Sequence, residues 1–123
     1  MAVLAALLVA IVAAIHVYIV VLEMFLWRTP RGMGSFGTDP AFAERSAPLA
    51  ANQGLYNGFL VAGLVWGLLA SDPIGFQVKV FFLGCVIVAG LFGAATVSRR
   101  ILVVQALPAA LALAAVIAAG TTG

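Results

Sequence analysis

The stretch from Ala2 to Trp27, AVLAALLVAIVAAIHVYIVVLEMFLW, carries no charged residue before Glu23. A membrane-crossing helix takes about 20 mostly apolar residues, so this run is long enough to span and too long for the apolar part of a secretory leader. It also lacks a basic start, which makes it a first crossing rather than a cleaved segment. Two polar side chains interrupt it, His16 and Glu23. A carboxylate in hydrocarbon costs on the order of 2.5–3.5 kcal/mol on insertion scales. In a chain with only four acidic residues, that cost marks Glu23 as part of a site.

The rest of the chain carries the same signal. With 65% hydrophobic residues, 8% charged residues and a mean hydropathy of +1.23, the 123 residues have too little polar surface to cover a soluble globule. The expected fold is all-α, an integral membrane up-down four-helix bundle forming one domain over residues 1–123. Its four transmembrane helices fall at about 2–27, 47–70, 73–97 and 101–119, with a main loop over 28–46 that collects Pro30, Gly32, Gly34, Gly37, Pro40 and most of the charges. Ser46 reads as the N-cap of the second helix with Pro48 in its first turn, and Asp72 as the N-cap of the third with Pro73 at its first position. Pro108 implies a kink or local unwinding in the fourth, and Gly120 to Gly123 form a small polar tail. A net charge of +2 on so apolar a chain gives no footing for nucleic acid, and the single cysteine excludes an internal disulfide.

The arginines set an orientation. Arg28, Arg31 and Arg45 lie between the first and second helices, and Arg99 and Arg100 between the third and fourth. By the positive-inside bias both groups are cytoplasmic, with the termini and the Ser71-Asp72 turn outside. Lys79 sits on the other side, two turns into its helix, where it can snorkel towards Asp72.

This topology brings the polar residues to matching depths. Glu23, Asn52, Gln53 and Gln105 each lie about one turn inside the cytoplasmic boundary, and His16 lies roughly 16 Å in, near the level of Asn57 and Cys85. His16 and Glu23 share a face of the first helix, as Gln53 and Asn57 share a face of the second. The arrangement expected is a polar-lined pocket on the cytoplasmic side. Glu23 and His16 are its candidate catalytic acid and base, and Asn52, Gln53, Tyr56, Asn57, Gln105 and Trp27 its ligand-binding residues. No metal site is expected, because no second His or Cys completes a ligand set around His16 or Cys85. No cofactor is assigned.

These residues carry a resemblance. His16-Val17-Tyr18-Ile19 leading into Leu22-Glu23-Met24-Phe25-Leu26-Trp27, then Asn52-Gln53-Gly54-Leu55-Tyr56-Asn57-Gly58-Phe59, and Gln105 before Pro108-Ala109 resemble a family of small bacterial four-span membrane proteins, the domain of unknown function 1304. The resemblance covers almost the whole chain. It implies a small multi-pass protein of a bacterial cytoplasmic (inner) membrane and no particular activity.

Each polar residue also has a plainer role open to it. Glu23 could reach interfacial water or pair with Arg28, the amides could be interhelical hydrogen-bond glue, and His16 could be a neutral imidazole tied to an amide. The strings Gly54-x-x-x-Gly58 and Gly63-x-x-x-Gly67 serve internal packing or a homo-oligomer interface, with the short chain tilting the balance to an oligomer. Three functional classes stay open. One is a pocket protein that takes a small apolar or amphipathic ligand from the bilayer, with isomerase-like acid/base chemistry. A second is a proton-coupled small-molecule transporter resembling small multidrug carriers, and a third is an accessory subunit of a larger membrane complex.

Overall fold

The computed structural model describes residues 1–120, and the rest of the expected polar tail, 121–123, lies outside the described residues. Helix follows helix along the chain: α1 (Ala2–Met24), α2 (Pro30–Phe36), α3 (Pro40–Leu69), α4 (Ile74–Thr96), a π-helical turn (Leu102–Ala106) and α5 (Leu107–Ala119). Among the described residues there is no strand.

Three of these helical stretches, Ala2–Met24, Ile74–Thr96 and Leu102–Ala119, are long and apolar enough to cross a membrane. Their exposed faces present large apolar side chains such as Leu7, Ile11, Phe81, Val88, Phe92, Leu111 and Ile117. Such surface belongs against lipid. Helix α3 is 30 residues long and covers the stretch expected as the second crossing. It is not among the three, because Asn52, Gln53 and Asn57 interrupt its apolar half and Glu44 and Arg45 its first turns.

Helix boundaries differ from expectation mainly in the segment expected as a loop. Thr29 caps α2: its hydroxyl accepts from the Gly32 N–H at 3.2 Å and donates to the Leu26 carbonyl at 2.6 Å. Pro30 follows at the first helical position and Gly37, at φ 68°, closes the helix in the left-handed conformation that favours glycine. Asp39 then accepts from the Phe42 N–H at 2.8 Å, and Pro40 opens α3 well before position 47. Ser46 is therefore not a cap but a residue inside the helix, donating to the Phe42 carbonyl at 2.7 Å. Pro48 lies within α3 rather than in its first turn.

Helix α4 starts at Ile74, with Pro73 in the flanking position after a cis Asp72-Pro73 bond. The Asp72 carboxylate still serves the helix start by accepting from the Phe76 N–H at 3.1 Å. The expected distortion near Pro108 takes the form of the π turn, in which the Leu107 N–H bonds the Leu102 carbonyl. A wider turn before proline relieves the clash between its ring and the carbonyl four residues earlier.

Internal contacts gather the chain into two compact units, one of Met1–Ile15 with Leu60 onward, the other of His16–Phe59. The first holds an apolar core built from Val9, Val12, Leu64, Leu83, Val86, Ala109, Ala112 and Val116. Small residues bring its helices close. A Cβ on Gly90 would meet the Ala106 backbone at 2.8 Å, and one on Gly67 the Lys79 Cγ at 2.6 Å. Lys79 and Asp72 line one small cavity there with Ala2 and Val116. The second unit is smaller and more polar, and it contains most of the candidate site.

Candidate functional site

Within the unit 16–59, the end of α1 meets the middle of α3 at a glycine. A Cβ on Gly54 would lie 2.5 Å from Met24 Cγ and 3.2 Å from Glu23 Cβ, so only glycine lets the two backbones approach this closely. Asn57 lies one turn further along the same face of α3. From there its Nδ2 donates to Glu23 Oε1 at 2.5 Å. Glu23 is 3% exposed and Asn57 9% exposed, so this is a buried bond between a carboxyl group and an amide.

His16 lies two turns before Glu23 on α1 and is 1% exposed. It continues the buried row made by Ala5, Val9 and Val12, which has the spacing of one helix face. His16 and Glu23 on α1 are therefore both buried, whereas Tyr18 is exposed.

A second set of contacts surrounds the carboxy-terminal end of α1. The Trp27 indole N–H donates to Ser46 Oγ at 3.0 Å, and its ring lies 4.9 Å from that of Phe36. The Arg28 guanidinium pairs with Glu44 at 3.2 Å, and Arg31 donates to the Tyr18 hydroxyl at 2.8 Å. Both Arg28 and Glu44 are more than half exposed, so their pair contributes little to stability. Met24, Phe25, Trp27, Arg28, Glu44 and Pro48 are among the residues lining an open groove of about 550 Å³.

The family described as "Protein of unknown function (DUF1304)" matches residues 10–117. The chain belongs to that family. No curated protein and no solved structure matches it. DUF1304 membership thus names a family without a reaction, and the chemistry rests on side chains.

In this DUF1304 chain the expected site residues separate into three groups. His16, Glu23 and Asn57 face inward, and Glu23 and Asn57 touch. Asn52, Gln53 and Tyr56 are exposed on α3, Gln53 at the edge of the face that carries Asn57, and Tyr56 stacks edge-on against Phe59 with ring centres 5.8 Å apart. Gln105 is half-buried in the π turn and belongs to the other unit. Trp27 lines the groove at the end of α1. The pairing of Glu23 with Arg28 does not occur, since Arg28 is held by Glu44. Among the described residues no three His, Cys, Asp or Glu side chains gather as a metal site.

Sequence reading missed the groove wall on α3. Ala47, Pro48 and Ala51 fall on one helix face, with Glu44 one turn before them, a pattern visible once α3 is started at Pro40 rather than at 47.

Proposed function

We propose that the chain is a multi-pass protein of the bacterial cytoplasmic membrane that binds a small, mostly apolar molecule at the cytoplasmic end of α1 and α3. In this reading Glu23 and His16 exchange protons with the bound molecule, and Trp27 and the apolar side of the groove hold its body. The observation that carries the proposal is the buried bond from Asn57 to Glu23. A carboxyl group is costly inside an apolar span, and here a matched amide and a close-approach glycine hold it in one orientation. The groove supports an entrance, because Met24, next to Glu23, forms part of its wall. Isomerisation suits such a place: a proton leaves one atom of the substrate and another is returned elsewhere on it, without bulk water.

The test is native mass spectrometry of the protein purified in mild detergent, paired with Glu23→Gln. Wild type should carry a lipid-like small molecule, and Glu23→Gln, nearly the same in shape, should retain it while failing to convert it. Wild-type protein that carries no such mass, in intact particles and in solvent extracts alike, would end the proposal. Substrate-dependent proton flux in liposomes that Glu23→Gln abolishes would replace it with proton-coupled transport.

A further inference from the structure

Arg31 carries a charge that no acid of the chain answers. Its guanidinium donates to the Tyr18 hydroxyl at 2.8 Å, and among the described residues no carboxylate pairs with it. Arg28, by contrast, is held by Glu44. The chain from Met24 to Thr38 contains no acidic residue, and Glu23 is turned inward to Asn57. Tyr18 and Arg31 are both exposed.

Depth decides what can meet this charge. Helix α1 is one of the three stretches long and apolar enough to cross a membrane, and at about 1.5 Å per residue its 23 residues extend roughly 35 Å. A hydrocarbon core of about 30 Å leaves only about 5 Å of that length to spare. Tyr18 lies roughly 9 Å before the carboxy-terminal end of α1, which puts it at the inner edge of the headgroup layer and not in bulk water. The Thr29 cap turns the chain just beyond α1, and from α2 the Arg31 side chain reaches back along the helix to that level.

We infer that Arg31 and Tyr18 form a site for the phosphate of an anionic phospholipid, in the leaflet at the carboxy-terminal end of α1. The donors suit such a group. Arg31 uses one nitrogen on Tyr18 and keeps N–H groups on the others, while the Tyr18 oxygen, accepting from Arg31, still has its own hydrogen to donate. Phosphate oxygens are the anions of the layer in which the pair lies, and a planar guanidinium can bond two of them at once. The lack of a carboxylate selects the lipid class. A zwitterionic headgroup neutralises its own phosphate and leaves Arg31 uncompensated, whereas an anionic one supplies the missing charge. Neither Tyr18 nor Arg31 lines the groove beside Trp27, so this site is separate from the one proposed above and uses no chemistry at Glu23.

Native mass spectrometry of the full chain tests this, with equimolar phosphatidylglycerol and phosphatidylcholine of the same acyl chains added to the detergent. Wild type should retain phosphatidylglycerol over phosphatidylcholine by at least about fivefold. Arg31→Gln should abolish the preference, and Tyr18→Phe should lower it about threefold by removing one donor to a charged acceptor. Arg45→Gln removes an exposed arginine elsewhere and should leave the preference as it is. A wild type without preference overturns the inference, and so does equal loss in Arg31→Gln and Arg45→Gln, which would mean that net charge alone attracts the lipid. Displacement of the lipid by equimolar inorganic phosphate would assign the pair to a free anion instead.

A photoreactive residue in place of Ala14, one turn from Tyr18 on the same face of α1, addresses the remaining occupant. In the native membrane it should cross-link phospholipid; a cross-link to another protein would give Arg31 a protein partner and end the lipid assignment. Retention of a small molecule in the groove should be the same in wild type and Arg31→Gln, so failure here leaves the groove reading standing.

Discussion

Asn57 is the residue on which the buried carboxyl group depends. Its amide donates to Glu23 in surroundings from which water is excluded. Asn57→Leu leaves the carboxyl with an unmet bond, and the expected loss is about 1–3 kcal/mol of stability. Glu23→Leu added to it should recover most of that loss, because replacing both partners with apolar groups removes the penalty along with the bond. Thermal unfolding in detergent of the two single variants and the double variant measures this coupling; strictly additive losses would show that the bond contributes nothing. Gly54 and Gly58 give a matched pair of tests in the same assay. A Cβ at Gly54 meets Met24 and Glu23, whereas one at Gly58 meets nothing within 4 Å. Gly54→Ala should therefore cost about 1–3 kcal/mol through overpacking, and Gly58→Ala should gain up to about 1 kcal/mol from helix propensity. His16 and Glu23 were legible in the sequence because each interrupts an apolar run. By depth the sequence matched Glu23 with Asn52 and Gln53 and set Asn57 deeper, near His16, so the bond from Asn57 to Glu23 was not foreseen. Rotation about the helix axis separates Asn57 from Asn52, since five residues on is about 140° around, but leaves Gln53 only about 40° away, and contact with α1 fixes which direction is inward.

At the level of elements, the apolar helices could be read almost to the residue, while the polar segment between the first two could not. Ala2–Met24, Ile74–Thr96 and Leu102–Ala119 follow from a mostly apolar composition that few polar residues interrupt. The segment from Arg28 to Arg45 has glycines, prolines and charges, which read as loop, yet it holds two well-made helix starts in Thr29-Pro30 and Asp39-Pro40. Each pairs a side-chain oxygen acceptor with a proline at the first helical position, where the missing N–H costs nothing. The bulk composition of the segment outweighed these local signals. Thr29 offers a direct check, since its hydroxyl serves both the end of one turn and the start of α2. Thr29→Ala should weaken α2 locally by about 0.5–2 kcal/mol. Hydrogen exchange should then rise several-fold over residues 31–36 while α4 keeps its protection; unchanged exchange in α2 would mean that Pro30 and the Gly37 cap suffice.

For the molecule as a whole, the status of α3 decides the topology, and charge supplies the argument. If only the three most apolar helices cross, the chain from Phe25 to Pro73 stays on one side, and Arg99 and Arg100 emerge on the opposite side from Arg28, Arg31 and Arg45. If α3 also crosses, all five arginines share one side, as the positive-inside bias favours. At about 1.5 Å per residue its 30 residues extend roughly 45 Å, enough for the hydrocarbon core and a polar turn or two beyond it. Its Glu44-Arg45 end would then lie in the water layer and its Val61–Leu69 end among the acyl chains. The expected outcome is four crossings. A reporter enzyme that works only outside the cytoplasmic membrane should be active when fused after Gly123 and inactive when inserted at Gly37, with the amino terminus outside as well. Three crossings would instead put the two termini on opposite sides, so that with the amino terminus outside the fusion after Gly123 would be silent.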